Sequence, residues 1–255
     1  MEFKELKGFL EKKYRQYDQL DFIKTDPVSI PHRFTKKEDI EIAAFLSSTI
    51  AWGYRPNIIK SAEKLVMLLN NFPFDFVMNV KEKELKLLKT FVHRTFNGDD
   101  LIFFILSLKN IYKNHNGLQE VFFNGYKKNQ LIKDSITHFR KIFFEYEHLQ
   151  RTEKHISNPE NNSACKRINL FLRWMIRNDK KGVDFGIWKN FSPSALFCPL
   201  DLHSGNVSRK LGLLTRKQND WKAVEELTAN LRKFDPADPV KYDLALFGLG
   251  VFEKF

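Results

Sequence analysis

A lysine near the start of a predicted helix has clear potential for chemistry. Lys166 follows the polar stretch 157–162, and Ser163 is positioned to cap a helix predicted over Ala164 to Arg177. Free backbone amides at such a helix start, together with the neighbouring Arg167, disfavour a positive charge on the amine. They favour the neutral form that a lysine nucleophile requires. A solvated lysine that is merely tolerated at the helix start explains the same position.

An aspartate begins the next helix of interest. Asp201 follows Pro199-Leu200 and precedes a helix predicted over Leu202 to Leu211. As an N-cap it would accept amide hydrogen bonds and remain ionised, with its charge fixed in place. Such a carboxylate can stabilise a cationic, sugar-like transition state or take a proton from an attacking amine or water. A purely structural cap is an equal alternative. His203 is not expected to bind metal, because no second ligand lies at helical spacing.

The charge of the chain favours a polyanionic partner. Lys and Arg number 42 against 31 Asp and Glu, which gives a formal net charge of +11. The segment from Arg151 to Lys217 has thirteen basic and five acidic residues, so it carries +8 of this excess. A clustered excess is typical of a nucleic-acid-docking face, whereas a solubility charge is the alternative. The candidate DNA contacts are Arg167, Arg173, His203, Arg209 and Lys210.

Composition argues against several other classes of protein. Cys165 and Cys198 cannot form a multi-ligand metal cluster by themselves, so we expect neither a metal nor another cofactor. Two cysteines suit a reducing cytoplasm better than a disulfide scaffold. The first helix mixes charged and apolar residues, unlike a signal peptide, and the densest apolar run, 101–108, is too short to span a membrane. We expect a cytoplasmic protein with no membrane partner.

The spacing of apolar residues predicts an all-α fold. Apolar residues recur every three or four positions, and the alternation typical of strands is scarce. Thr35 to Glu38 has the form of a capping box ahead of a helix at Ile40. The Phe-rich helix that follows Asp99 should be central to the core. Helices are predicted at about 3–17, 40–51, 57–69, 81–88, 99–113, 118–126, 131–147, 164–177, near Trp188, and at 202–211, 221–232 and 240–252.

Four segments, in this order, resemble the helix-hairpin-helix superfamily of DNA base-excision glycosylases, which includes endonuclease III, the adenine glycosylase and the archaeal 8-oxoguanine glycosylase. Residues 42–49 look like its early hhIAxhLSxQ helix, and residues 163–177 look like the helix that bears the lysine nucleophile of its bifunctional members. Residues 201–211 resemble the VDxHVxRhxxRLG segment with the catalytic aspartate, and residues 242–250 resemble the terminal ALMDLG helix. The whole chain also resembles an uncharacterised bacterial protein family of this length.

The resemblance implies a fold and an activity. The fold would be a single two-lobed helical domain of the DNA-glycosylase type, residues 1–255, with lobe A at about 35–178 and lobe B at 1–34 plus 179–255. DNA would bind in a central cleft between the lobes. Lys166 would be the Schiff-base nucleophile and Asp201 the essential carboxylate. The expected activity is a glycosylase, with or without lyase activity, that acts on a damaged base such as an oxidised purine.

Three departures from the superfamily pattern favour other functions. The hairpin pattern LPGVGxKxA lacks its glycines here, because Asn161-Asn162-Ser163-Ala164-Cys165 precedes Lys166. Thr49 stands where the superfamily has a helix-filling Gln, and the terminal four-cysteine cluster is absent. A catalytically inactive nucleic-acid-binding relative on the same scaffold is therefore the alternative. A helical protein-interaction module, which would bind nucleic acid weakly even at low salt, is a third possibility.

Overall fold

The computed structural model describes residues 2–178 and 181–255, and the regular secondary structure of this part of the chain is helical except for one small hairpin. The predicted all-α class is therefore confirmed. The chain divides into two compact units. We name residues 24–157 the middle unit and residues 1–23 plus 158–255 the terminal unit.

The middle unit is built around helix α7, Gly98–Asn114, whose apolar face is buried as expected for the Phe-rich helix. Phe104 of this helix packs against Phe45, Phe96 and Phe143, with ring centroids 4.8–5.8 Å apart. Aromatic rings that meet at these distances add to the stabilisation from burial alone. The other elements are α3 Lys37–Thr49, α4 Arg55–Leu68, α5 Pro73–Asn79, α6 Glu82–Leu88, β1 Val92–His93, β2 Phe96–Asn97, α8 Leu118–Tyr126 and α9 Ile132–Phe143.

The terminal unit combines the first helix of the chain with its last hundred residues. Its core contains Leu10, Cys198, Val207, Leu227 and Leu246, which come from well-separated parts of the sequence. Its helices are α1 Phe3–Tyr17, α10 Lys166–Ile176, α11 Leu202–Lys210, α12 Trp221–Phe234 and α13 Tyr242–Val251, and α2 Leu20–Lys24 ends at the boundary with the middle unit.

Helices α1 and α13 pack closely because of one glycine. A Cβ atom built on Gly248 of α13 would lie 2.1 Å from Cδ2 of Tyr17 in α1, far inside van der Waals contact. The two helices can therefore approach at this point only if the residue has no side chain. The carboxy-terminal helix consequently holds the amino-terminal helix in the same unit.

Two predicted helix starts are wrong. The N-cap of α3 is Lys36, not Thr35, and no side chain caps that helix. Oδ1 of Asp39 in its first turn accepts a hydrogen bond from the backbone N of Phe74 at 2.8 Å. The N-cap of α10 is Cys165, while Ser163 instead forms an isolated bridge with Asp220.

Other differences concern short elements. The described residues around Trp188 form bends and a turn instead of the predicted helix, and Trp188 is buried against Phe171 and Phe191. The break predicted at residues 178–182 includes Asp179 and Lys180, which lie outside the described residues. Helix α5 and the β1–β2 hairpin were not predicted, and strands of two residues are too short for a periodic signal.

The units also divide the chain differently from the predicted lobes. The expected boundary near residue 178 would place α10 with the preceding helices, whereas α10 belongs to the terminal unit. Ion pairs as well as apolar contacts hold α10 in the terminal unit. Basic side chains of α10 pair with Asp184, Asp201 and Asp243, all of which follow it in the sequence.

Candidate functional site

Lys166 and Asp201 meet in the terminal unit. Nζ of Lys166 lies 3.5 Å from Oδ2 of Asp201. Neither side chain is fully buried, with 29% of the lysine side chain and 22% of the aspartate side chain exposed. The pair is thus screened from bulk water on most sides but can still be reached by a ligand. A nucleophile and a proton acceptor need this combination of closeness and access.

Asp201 is the N-cap of α11, as predicted. Its Oδ1 accepts a hydrogen bond from the backbone N of Ser204 at 2.9 Å, and its own backbone N donates to Oγ of Ser204 at 2.9 Å. Burial pushes the pKa of Asp201 upward, but Lys166 and the Ser204 amide outweigh it and hold the pKa below its usual value. Oδ1 is therefore occupied by the cap, and Oδ2 faces the amine.

Lys166 is the first residue of α10, so the lysine lies in the first helical turn, although Ser163 is not its cap. Two residues of the preceding turn, Asn162 and Cys165, have positive φ angles of 57° and 48°. This left-handed region is the one that glycine adopts most easily. The turn therefore has glycine-like backbone conformations at two positions without having glycine there.

A second ion pair lies deeper along α10. Arg173 follows Lys166 by seven residues, so both project from the same face of the helix. The Arg173 guanidinium contacts carboxylate oxygens of Asp184 at 3.3 Å and Asp243 at 2.5 Å. The Arg173 side chain is only 3% exposed. Arg173 therefore has no surface with which to contact a phosphate, and its predicted role as a DNA contact is not supported by its position.

Arg177 extends this row of cations by one further turn. Its guanidinium contacts Asp184 and Asp238 at 2.9 Å each, and donates to the hydroxyl of Tyr14 at 2.6 Å. Burial alone would lower the pKa of Arg177, but the two carboxylates outweigh burial and raise it above the usual value. Both inner arginines consequently keep their charge inside the unit, where unpaired charges would be very costly.

Asp243 is a buried acidic residue of this interior that both Arg173 and Cys198 contact. It lies on α13, where its carboxylate contacts Arg173 and its Oδ1 lies 3.8 Å from Sγ of Cys198. Burial raises the pKa of Asp243 to about 6, with Arg173 opposing the rise and the negative charge of Asp201 adding to it. The pKa of Cys198 is also raised well above its usual range, first by burial and then by Asp243.

The other predicted contact residues lie in different surroundings. Burial lowers the pKa of Arg167 to about 10, and this side chain is partly covered. His203 is exposed in the first turn of α11, close in sequence to Asp201. Arg209 donates to the carbonyl of Arg216 at 2.8 Å and to Asn219 at 2.6 Å, which fixes its guanidinium locally.

Lys210, the last of these residues, is exposed at the far end of α11, with Nζ 5.8 Å from the centroid of the Phe255 ring. Nine residues of helix separate Asp201 from Lys210, a rise of roughly 13 Å. Lys210 is thus remote from Asp201 along α11, whereas Arg209 binds Asn219, whose side-chain amide donates to the Asp201 carbonyl at 2.9 Å.

Sequence reasoning missed four residues that shape the site. These are Ser204, which completes the Asp201 cap, and the interior residues Asp184, Cys198 and Asp243. One signal was available, since Asp243 is the acidic residue in an otherwise apolar run from Tyr242 to Gly250. A carboxylate in such a run is buried, and a buried carboxylate needs a partner. The seven-residue spacing of Lys166 and Arg173 indicates where that partner could lie.

Within residues 2–178 and 181–255, no group of three or more His, Cys, Asp or Glu side chains is arranged to hold a metal ion. In the same residues, no helix has both the length and the apolar content needed to cross a bilayer.

Comparison with known proteins places the chain in a family but gives no activity. Neither the curated proteins nor the solved structures include a significant match to this sequence. One family does match, over residues 26–252, and so over most of the chain. The matched region contains Lys166, Asp201 and Asp243 together with the interior arginines. The chain therefore belongs to the family described as "Protein of unknown function (DUF2400)".

Proposed function

We propose that the protein is a DNA base-excision glycosylase with Schiff-base lyase activity, which acts on a damaged base. The observation that carries the proposal is the 3.5 Å contact between Nζ of Lys166 and Oδ2 of Asp201 in a partly exposed site. A lysine nucleophile with an adjacent carboxylate is the arrangement that the resemblance to the glycosylases implies. The formal charge of +11 supports a polyanionic substrate.

The first step is the activation of the amine. Oδ2 of Asp201 accepts a proton from the Lys166 ammonium, and the neutral amine then has a lone pair for attack. The backbone amide of Ser204 and the start of α11 hold the carboxylate in place, so that little reorganisation is needed. Because Lys166 is the first residue of α10, the free amides of that helix also disfavour the positive charge that the lysine gives up.

In the second step, Lys166 displaces the damaged base from the sugar. The nitrogen of Lys166 bonds to the anomeric carbon of the sugar as the bond from that carbon to the base breaks, and the electron pair leaves with the base. A carboxylate beside the reacting carbon stabilises the positive charge that develops on the sugar. Loss of a proton from nitrogen and opening of the sugar ring then give an imine between Lys166 and the sugar carbon. Removal of a proton from the adjacent carbon expels the 3′ phosphate, and hydrolysis of the imine frees the lysine.

The damaged base must leave the helical stack before the amine can reach the sugar. Extrusion of a nucleotide costs a few kcal/mol, and a damaged or mispaired base costs less to extrude than a normal pair. Such a substrate therefore combines phosphates, which a basic protein attracts, with a nucleotide that is easily flipped out. Intact duplex should bind without reacting.

Borohydride trapping tests the proposal, because it reduces an imine to a stable bond between the protein and the DNA. Purified protein is incubated with duplexes that each contain one lesion, including oxidised purines, oxidised pyrimidines and an abasic site. We expect a covalent adduct and base release with the preferred lesion. Lys166→Ala should abolish the adduct, because no amine remains near Asp201. Lys189→Ala removes an exposed lysine elsewhere in the same unit and should leave trapping unchanged.

Two results would contradict the proposal. One is the absence of adduct and of base release across the whole panel. The other is trapping that persists at the wild-type level in Lys166→Ala. Salt-dependent binding of the same duplexes without base release, unaffected by Asp201→Asn, would select the catalytically inactive nucleic-acid-binding relative instead.

A further inference from the structure

The loop between α11 and α12 forms an open depression in the terminal unit. The depression has a volume of about 500 Å³. Its lining is polar or charged throughout and consists of Thr215, Arg216, Lys217, Gln218, Lys222 and Glu226. A depression of this kind offers no apolar surface to a ligand, so the ligand that it suits is a charged one.

The positive charge of this depression is only partly neutralised. Arg216 pairs with Asp220, four residues later in the chain. Lys217 and Lys222 are exposed, and neither has an ion-pair partner within residues 2–178 and 181–255. Three cations against the carboxylates of Asp220 and Glu226 leave a net charge of +1. The two lysines are therefore available to an anion.

Glu226 shapes the loop with both of its carboxylate oxygens. Its Oε1 accepts from the backbone N and the hydroxyl of Thr215, at 2.6 Å each, and its Oε2 accepts from the backbone N of Arg216 at 3.3 Å. Nε of Arg209 donates to the carbonyl of Arg216 at 2.8 Å. These bonds hold the backbone beside the two lysines, so little freedom is lost there when a ligand binds.

Gln218 and the loop backbone add neutral donors to the two ammonium groups. In the part of the chain that the structure describes, the backbone N–H groups of Lys217 and Gln218 have no hydrogen-bond partner. Oε1 of Gln218 accepts from Arg216 at 3.0 Å, which leaves the side-chain nitrogen of Gln218 to donate. Lysine ammonium groups, glutamine amides and backbone N–H groups are the donors that proteins use to contact phosphate oxygens.

The same loop contacts both segments that begin the helices of the candidate site. Nδ2 of Asn219 donates to the carbonyl oxygen of Asp201 at 2.9 Å. Nδ2 of Asn162, in the turn ahead of α10, donates to Oδ2 of Asp220 at 3.0 Å. Lys217 is two residues from Asn219, a span of at most about 7 Å. The depression is therefore a neighbour of the Lys166–Asp201 pair within the terminal unit.

We propose that the loop of residues 215–222 is a phosphate-binding site, in which Lys217 and Lys222 contact a backbone phosphate of the DNA strand whose sugar lies at Lys166. Each DNA strand has a phosphate for about every 3.4 Å of helix axis, so such a strand has further phosphates near the loop. Phosphate contacts fix the register of a protein on DNA. The assignment of the phosphate to DNA rests on the proposed function, whereas the attraction of the loop for a phosphate does not.

The salt dependence of DNA binding tests the contact. A fluorescent, undamaged duplex is titrated with full-length protein at several salt concentrations, and the logarithm of the binding constant is plotted against the logarithm of the salt concentration. Each phosphate contact that is lost makes this slope less steep by roughly 1. Lys217→Ala/Lys222→Ala should therefore bind more weakly and with a slope shallower by roughly 1 or more. An unchanged slope overturns the proposal.

Lys4→Ala/Lys7→Ala is the matched control. Both lysines are exposed on α1 of the same unit, so this variant loses the same two charges without altering the loop. It should keep a slope close to that of the wild type. An equal decrease of the slope in both double variants would show that only the total charge of the protein matters, and this result also overturns the proposal.

Amide NMR of the full-length wild type needs no variant and identifies the source of the phosphate. The undamaged duplex should shift the backbone amide resonances of Lys217, Gln218 and Lys222 in a saturable manner, beyond the effect of sodium chloride at equal ionic strength. Shifts with inorganic phosphate but not with the duplex overturn the assignment to DNA, and shifts with neither overturn the site. Because no lesion is present, these results stand even if borohydride trapping fails, and failure of the proposed function remains distinguishable from failure of this inference.

Discussion

Lys166 and Asp201 each mark the amino-terminal end of a different helix, and these two ends converge on one ion pair of 3.5 Å. A helix start carries a partial positive charge. Two such starts at one point favour the negative charge of Asp201 and disfavour the positive charge of Lys166. The start of α10 therefore promotes loss of the Lys166 proton, whereas the start of α11 keeps Asp201 ionised as a counter-charge for a cationic transition state.

Asp201→Asn should separate the charge of this residue from its structural role. Asn is as good an N-cap as Asp, so the free energy of unfolding should change by less than about 1 kcal/mol. Base release should fall at least about a hundredfold, because the proton acceptor and the counter-charge are lost. Single-turnover base release and urea unfolding measure the two effects.

Asp220→Asn is the control for that prediction. Asp220 is likewise an N-cap, at the start of α12, where it accepts from the backbone N of Ala223 at 3.1 Å. It lies in the same unit and accepts from Nδ2 of Asn162 in the turn ahead of α10, but it provides no charge beside Lys166, so activity should fall far less than in Asp201→Asn. Equal losses of activity in both variants would show that Asp201 acts only as a cap.

Gly248→Ala should destabilise the terminal unit. The added Cβ would overlap the Tyr17 ring at 2.1 Å, and overpacking of this kind typically costs about 1–3 kcal/mol. Gly8→Ala provides the opposite case, because Gly8 lies on the exposed side of α1 with no atom within 4 Å of the added Cβ. This variant should be more stable by about 0.5–1 kcal/mol. Urea unfolding followed by circular dichroism would refute the packing account if both variants had the same sign.

Asp100 should make the middle unit sensitive to acid. Burial pushes its pKa upward, but His155, the amide of Asn97 and the hydroxyl of Thr152 outweigh burial and hold the pKa at about 2. A carboxyl whose folded pKa lies below its unfolded value, near 4, stabilises the fold fully above pH 4. That contribution is lost as the pH falls through about 2.

Asp100→Asn removes this acid-sensitive contribution. The variant should be less stable at pH 7 by about 2–4 kcal/mol, because buried partners lose an ionised acceptor. Its stability should then fall less steeply than that of the wild type between pH 4 and pH 2. Parallel pH dependence in the two proteins, measured by urea unfolding, would rule out this role of Asp100.

The two cysteines should be unreactive in the folded protein. Cys165 is 2% exposed and Cys198 is fully buried. Burial also raises the pKa of the Cys198 thiol well above its usual range, so little of the reactive thiolate is present. Titration with a chromophoric disulfide should detect both thiols only after unfolding. Rapid reaction of Cys198 in the native protein would contradict its place beside Asp243.

The sequence was informative where periodic patterns are long. Helix α1, at Phe3–Tyr17, and helix α8, at Leu118–Tyr126, begin and end where they were predicted. Both have a regular apolar face that tertiary contacts do not override. Helix α3 begins at Lys37 without the predicted capping box, and Asp39 in its first turn bonds to the distant backbone of Phe74. A hydrogen-bond partner 35 positions away cannot be predicted from the residues around Asp39.

The candidate site was predictable only in part, for a related reason. Lys166 and Asp201 could be identified because each begins a helix, and helix starts have local signals. Asp243 could not be assigned to the site from such signals, since its partners Arg173 and Cys198 are 70 and 45 positions away. Such contacts are set by the packing of α10 and α13, which local sequence does not specify.

Identification of the residue that bonds to DNA tests the central claim most directly. The borohydride-trapped complex is digested, and the modified peptide is sequenced by mass spectrometry. The account predicts that the sugar remnant is attached to Nζ of Lys166. Attachment to another lysine or to the amino terminus, with Lys166 unmodified, would contradict it.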